Sequence, residues 1–79
     1  MKYRVYVEYT LDPNEPGIDP IQDNVTVDVD VSDFDDAETQ GLCAGAKAVQ
    51  AAESIARHKH GLPKPKGEFE LDRVRGANN

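Results

Sequence analysis

Two stretches of the chain alternate between apolar and polar residues, and this period of two constrains the fold more than any other feature. The first stretch covers residues 3–11 and the second covers residues 25–31. Their apolar positions hold mainly valine and tyrosine, which favour strands, and such alternation is typical of a strand with one buried face. The sequence therefore predicts two half-buried strands.

The segment between these strands, residues 12–22, contains three prolines and a glycine. Proline cannot donate to a strand ladder, so the segment is predicted to be a long loop that closes a hairpin. A stiff loop loses little entropy when it docks on another molecule. We therefore keep the 12–22 loop as a candidate contact segment beside the charged surfaces described below.

A helix is predicted over residues 35–59. Ser32 or Asp33 is the expected N-cap, and Gly61 is the expected C-cap after a basic last turn. The predicted apolar stripe of the helix comprises Leu42, Ala46, Val49, Ala52 and Ala56, widened by Cys43, Ala48 and Ile55.

A third strand is predicted over residues 68–75, with Phe69 and Leu71 facing inward and a bulge near Asp72. The expected order is β-β-α-β. This order predicts an α+β fold with two layers, in which one helix packs on one face of a three-stranded, mostly antiparallel sheet of order 2-1-3. Residues 1–79 are expected to form a single domain.

The net charge of −6 conceals an uneven distribution. Residues 11–40 hold ten acidic side chains and no lysine or arginine, whereas residues 41–79 hold seven bases and four acids. In the predicted sheet, Lys2 and Arg4 are expected to lie between two acidic groups. These groups are Asp28 and Asp30 on one side and Glu68, Glu70 and Asp72 on the other.

The sequence disfavours an enzyme. Cys43 and His58 lie about 22 Å apart if both are on one helix, so they cannot form a catalytic pair. Phosphate-loop and nucleophile motifs are absent, and the paired carboxylates are predicted on solvated faces. We expect no catalytic residue, no metal site and no cofactor. No apolar run is long enough to span a bilayer, so a cytoplasmic protein is expected.

The acidic surface is the strongest candidate for a binding site, and a partner with a basic surface is the expected ligand. Its alternative is the ordinary solubility of an acidic domain. The expected partner-binding residues are Tyr6, Asp28, Asp30, Asp33, Asp35, Asp36, Glu68 and Glu70.

A basic tract offers an alternative site for nucleic acid, although the acidic block would repel a phosphate backbone. Its residues are Arg57, Lys59, Lys64 and Lys66, accompanied by Arg73 and Arg75. The same tract is also explained as a network of ion pairs at a helix end. The sequence leaves the oligomeric state open between a monomer and a homodimer.

The opening Met1–Tyr9, followed by a hairpin and an alanine-rich helix, resembles HicB-type antitoxins. That resemblance implies an incomplete RNase H-like fold and a small RNA-cleaving toxin as partner. In place of that family's proline-rich turn before the helix, this chain has residues 31–36.

A small acidic chain with one helix such as Gly41–Gln50 also resembles phage-encoded inhibitors, including anti-CRISPR proteins. This resemblance implies a non-enzymatic inhibitor in the host cytoplasm. Such an inhibitor blocks a host complex that handles nucleic acid, by steric occlusion or by charge mimicry.

Overall fold

The computed structural model describes residues 1–32, 36–62 and 67–78. It confirms the predicted α+β fold. The strands β1 (Lys2–Asp12), β2 (Ile21–Asp30) and β3 (Glu68–Asn78) form an open antiparallel sheet of order β2-β1-β3, and the helix α1 (Ala37–His60) packs on one face. We call this the inner face of the sheet, and we call the opposite face the outer face.

The connection between β1 and β2 is shorter than predicted, because β2 already begins at Ile21. Ile21 pairs with Leu11, and from there the antiparallel pairing of β2 with β1 continues without a break through Gln22 and Asp23. The predicted loop of residues 12–22 is therefore reduced to residues 13–20. The alternation of apolar and polar residues did not predict this extension, because the position that faces the helix is occupied by a charged residue, Asp23.

The boundaries of α1 differ from the prediction at the N-terminus. The N-cap is Asp36, whose carboxylate accepts hydrogen bonds from the Glu38 amide at 3.1 Å and the Thr39 hydroxyl at 2.8 Å. The predicted caps at Ser32 or Asp33 are wrong. The predicted end at Gly61 is confirmed: this residue adopts a left-handed conformation with φ 68°, which glycine tolerates without strain.

The buried stripe of α1 is rotated from the predicted one. Its fully covered residues are Gln40, Ala44, Ala48, Ala52 and Ala56, whereas Leu42 is 69% exposed. Alanine has the smallest side chain that still favours a helix, so this stripe allows the backbone of α1 to lie close to the sheet. The stripe packs on the inner-face valines Val5, Val7 and Val27.

A second part of the core lies nearer the end of α1. Tyr9 and Leu11 are buried there against Ala56, and the ring of Phe69 stacks on Tyr9 with 5.2 Å between centroids. The inward position of Phe69 is confirmed. Leu71 also faces the inner side, since it pairs with Tyr9, but it remains 48% exposed.

The predicted bulge in β3 is confirmed. Glu8 pairs with Arg73 and the next residue, Tyr9, pairs with Leu71, so Asp72 is the additional residue. The Asp72 carboxylate accepts a hydrogen bond of 2.7 Å from the Thr10 hydroxyl on the outer face. The bulge thus brings Asp72 and Arg73 to the same face of the sheet.

The close contact between α1 and the sheet predicts that a larger residue in the stripe is costly. We expect Ala52→Leu to lower the free energy of unfolding by about 1–3 kcal/mol, because the added atoms force backbone shifts in a packed core. For a domain of this size each kcal/mol corresponds to roughly 4–8 °C in Tm.

Ala46→Leu is the matched control, since Ala46 is exposed on the same helix. We expect it to change the free energy of unfolding by no more than about 0.5 kcal/mol. Thermal denaturation followed by circular dichroism measures both variants. Equal losses of stability would contradict the placement of the stripe.

Candidate functional site

The outer face of the sheet is not covered by any helix or strand among the described residues. Its side chains come from alternate positions of the three strands and are almost all polar or charged. Because the antiparallel register fixes which side chains are neighbours, the face can be divided into two ends with different charge balance.

At the end that contains the start of β1, acids are neutralised by bases. Arg4 Nε donates to Asp28 Oδ1 at 3.1 Å, and the amino group of Met1 contacts Asp30 Oδ1 at 3.3 Å. Lys2 is the register neighbour of Asp30. The predicted position of Lys2 and Arg4 beside the β2 acids is therefore confirmed.

The predicted second flank of acids beside Lys2 and Arg4 is wrong. Since β3 runs antiparallel to β1, Arg4 pairs with Ala77, whereas Glu68 and Glu70 pair with Asp12 and Thr10. Thr10 lies six positions after Arg4 on β1, a distance of about 20 Å along a strand. The expected site residues thus do not form one continuous patch.

The other end of the outer face carries an acidic cluster, which we call the acidic end. None of its members has an ion-pair partner within the described part of the chain. Two of the members, Glu68 and Glu70, were expected site residues, and three were not. The acidic end consists of Glu8, Asp12, Glu68, Glu70 and Asp72.

A depression of about 440 Å³ adjoins the acidic end. Carboxylates of Glu8 and Asp72 and amide side chains of Gln22 and Asn24 contribute to its lining. These groups supply hydrogen-bond acceptors around a concave surface, which suits an ammonium or guanidinium group that approaches from solution.

Tyr6 lies between the two ends of the outer face and is half-buried. Its hydroxyl donates to Glu8 Oε1 at 3.1 Å. Burial, together with this bond, raises the pKa of Tyr6. The ring is therefore held beside the acidic end, and its role as a partner-binding residue stays a prediction.

The remaining expected acids are not part of this face. Asp33 and Asp35 lie outside the described residues. Asp36 caps α1, and the bonds from the Thr39 hydroxyl and the Glu38 amide lower the pKa of its carboxyl. The capping of α1 is therefore sufficient to explain an aspartate at position 36, and no contact with a binding partner is needed.

The basic tract is partly explained by intramolecular contacts. Arg57 pairs with Glu53 at 2.9 Å and also donates to the carbonyls of Leu62 and Gly67. Lys59 pairs with Asp23 at 2.7 Å. Lys64 and Lys66 lie outside the described residues. Arg57 thus ties the end of α1 to the start of β3.

A polar cluster at the end of α1 was not predicted from the sequence. Asp23 faces the helix from β2, where its Oδ2 lies 2.7 Å from Lys59 Nζ and 3.2 Å from His60 Nε2. The buried hydroxyl of Tyr9 lies 3.4 Å from the same carboxylate oxygen and 3.3 Å from His60 Nε2. The only sequence signal was an aspartate in phase with the inner-face residues.

Hydrogen bonds, charge and burial explain the shifted pKa values of Asp23, Lys59 and Tyr9. The bond from Lys59, followed by the Asn24 amide, holds the pKa of the Asp23 carboxyl well below its usual range. The Asp23 carboxylate in turn raises the pKa of Lys59. Burial raises the pKa of the Tyr9 hydroxyl, and the nearby Asp23 charge adds to that rise.

Over the described ranges, no three histidine, cysteine, aspartate or glutamate side chains converge as metal ligands, and no helix is long and apolar enough to cross a membrane. Searches of protein-family models, of curated proteins and of solved structures found no match to this chain.

The Asp23 cluster predicts an acid-dependent loss of stability. A carboxylate whose pKa is lowered by folding stabilises the folded state above its unfolded pKa of about 3.9, and this contribution is lost as the pH falls through the folded pKa. We expect Asp23→Asn to lower Tm at pH 7, and we expect the difference from wild type to shrink as the pH is lowered below about 4.

Asp28→Asn is the control, because it also neutralises a β2 carboxylate that has a basic partner, but at an exposed position. Tm measured from pH 7 to pH 2 should change less for this variant than for Asp23→Asn. A pH-independent difference between Asp23→Asn and wild type would show that the charge of Asp23 is not what stabilises the end of α1.

Proposed function

We propose that this chain is a non-enzymatic binding protein whose acidic end docks on a basic surface of a larger protein. The observation that carries the proposal is the contrast between the two ends of the outer face. Asp28 and Asp30 contact positive groups of the chain itself, whereas the five carboxylates of the acidic end have no ion-pair partner among the described residues.

The strands give this charge a fixed arrangement. Glu68 and Asp12 are register neighbours, as are Glu70 and Thr10, so the carboxylates project from a paired sheet and not from a loose tail. A fixed set of charges loses little entropy on binding. Its complementarity to a basic surface increases the association rate and selects against acidic partners.

The class of protein that fits this arrangement is a phage-type inhibitor of the anti-CRISPR kind. A basic surface that normally holds a nucleic-acid backbone accepts carboxylates in place of phosphates, and the bulk of the domain then excludes the nucleic acid. An antitoxin directed at a small basic toxin would use the same kind of contact, with a smaller partner.

Direct binding of nucleic acid has less support. The acidic end would repel phosphates, and in the basic tract Arg57 and Lys59 already contact Glu53 and Asp23. The Asp23 cluster is likewise compatible with a structural role, because its four side chains satisfy one another at the junction of α1 and β2.

The proposal predicts that neutralising the acidic end weakens partner binding. We expect the double variant Glu8→Gln, Glu68→Gln to capture the partner complex from a bacterial lysate about tenfold less efficiently than wild type, because two charge contacts are lost. Quantitative mass spectrometry of the captured proteins measures this, and added salt should weaken capture by the wild type.

The matched control is Asp28→Asn, Asp30→Asn, which removes the same number of charges from the neutralised end of the same face. This control should capture the complex nearly as well as wild type. Equal capture by wild type and the acidic-end variant would refute the proposal. Salt-sensitive retention of the wild type on heparin would instead favour direct binding of nucleic acid.

A further inference from the structure

Strand β3 is an edge of the sheet that is left open. It pairs with β1 on one side, and among the described residues no strand pairs with its other side. The helix α1 packs mainly against β2 and β1, so it covers little of β3. An edge of this length presents a row of unpaired backbone groups to any strand that can align with it.

The order of charges along β3 is self-complementary. Its first half carries acids and its second half carries bases, with Asp72 and Arg73 at the junction. In an antiparallel pair of two β3 strands centred on that junction, Asp72 lies opposite Arg73 of the second copy. In the same register Glu70 lies opposite Arg75. Opposite charges at directly facing positions stabilise a strand pair.

The bulge makes this register compatible with the two faces of the sheet. In a regular strand, residues 71 and 74 point to opposite faces because side chains alternate. The extra residue Asp72 resets the alternation, so Leu71 pairs with Tyr9 and Val74 pairs with Val7, both on the inner face. In the two-fold pair, Leu71 therefore faces Val74 of the second copy on the same side.

The groups that would meet in this pair are available. Glu70, Arg73 and Arg75 are exposed and have no ion-pair partner within residues 1–32, 36–62 and 67–78. Leu71 is 48% exposed and Val74 is 39% exposed. Apolar side chains on an open edge are a liability in a monomer and an asset in an interface.

An apolar groove adjoins the same edge. It has a volume of about 310 Å³ and lies between α1 and β3, with Val74 and Gly76 on the strand side and Gly41 and Gly45 on the helix side. The helix contributes no large side chain there, because its residues on that side are glycine and alanine. A Cβ atom added at Gly41 or Gly45 would meet no atom within 4 Å, so the space beside them is open. The two-fold register brings Leu71 of the second copy beside Val74, at the border of this groove.

We propose that the chain forms a homodimer in which β3 pairs antiparallel with β3 of a second copy, centred between Asp72 and Arg73. The product is a continuous six-stranded sheet of order 2-1-3-3-1-2. Both copies contribute the same edge, so the contact is isologous and the assembly closes at two chains.

The β3 edge of a second copy is a better partner for β3 than the β2 edge of a second copy is. The exposed positions of β2 carry Asp28 and Asp30 and no base, so β2 offers no charge alternation to match β3. Pairing of β2 with β3 would also be heterologous and would extend into an open-ended array. The β3 pair satisfies both charge complementarity and closure.

The dimer and the proposed partner contact share two carboxylates of the acidic end but not all five. The dimer engages Glu70 and Asp72, while Glu8 and Glu68 have no charged residue opposite them across the two-fold register. A dimer would therefore present two acidic ends to a larger complex. Loss of dimerisation and loss of partner capture are distinguished by using different variants for each.

The test is a charge swap measured by analytical ultracentrifugation over a wide range of concentration. Arg75→Glu and Glu70→Arg each turn two attractive contacts of the dimer into repulsive ones. We expect each variant alone to weaken the dimer at least about tenfold. An equimolar mixture of the two variants should form a heterodimer as tight as the wild-type dimer, because each strand again faces its opposite charge.

Lys2→Glu and Glu15→Arg make the same changes in net charge away from β3, and they should leave the dimer unchanged; circular dichroism checks that every variant is folded. A wild type that stays monomeric at its highest soluble concentration overturns the proposal. So do open-ended oligomers, a dimer that both variants leave intact, and a mixture that associates no better than its components.

Discussion

The contact of an alanine stripe with the inner-face valines determines where the helix lies. Ala48, Ala52 and Ala56 are completely buried, so α1 approaches the sheet closely over β1 and β2. The polar cluster around Asp23 fastens the end of the helix to β2. Because the helix is held toward that side, Leu71 and Val74 of β3 remain partly uncovered. The two edges of the sheet thus differ in character: one is joined to the helix and the other is open.

Much of this architecture could be predicted from the sequence. Alternating residues revealed β1 and most of β2, Gly61 marked the end of α1, and the broken alternation after Leu71 located the bulge. The prediction was wrong where a side chain lies in an environment that is unusual for its residue type. Asp23 occupies an inner position because Lys59 and His60 lie beside it, and these contacts join residues far apart in sequence. The helix exposes Leu42 and buries alanines, because the short distance between the helix backbone and the sheet leaves room only for small side chains. Hydrophobicity alone therefore does not determine which residues are buried.

The candidate site was predictable only in part, because strand register controls which charges meet. Glu68 and Glu70 were correctly placed on the outer face, but the sequence does not specify how far β3 slides along β1. The observed register puts Glu68 beside Asp12 and leaves Arg4 with Asp28. It therefore separates neutralised acids from acids that have no ion-pair partner in the described chain. That separation underlies the proposed contact with a basic partner.

In the proposed dimer, a second copy covers β3, which is the edge of the sheet that α1 covers least. Hydrogen–deuterium exchange of the backbone amides, measured at low and at high protein concentration, tests this pairing most directly, since paired amides exchange slowly. We expect the outward-facing amides of β3 around Asp72 and Arg73 to gain protection as the concentration rises, while those of the β2 edge do not. Protection that appears in β2 instead, or that is independent of concentration in β3, would contradict the proposed pairing.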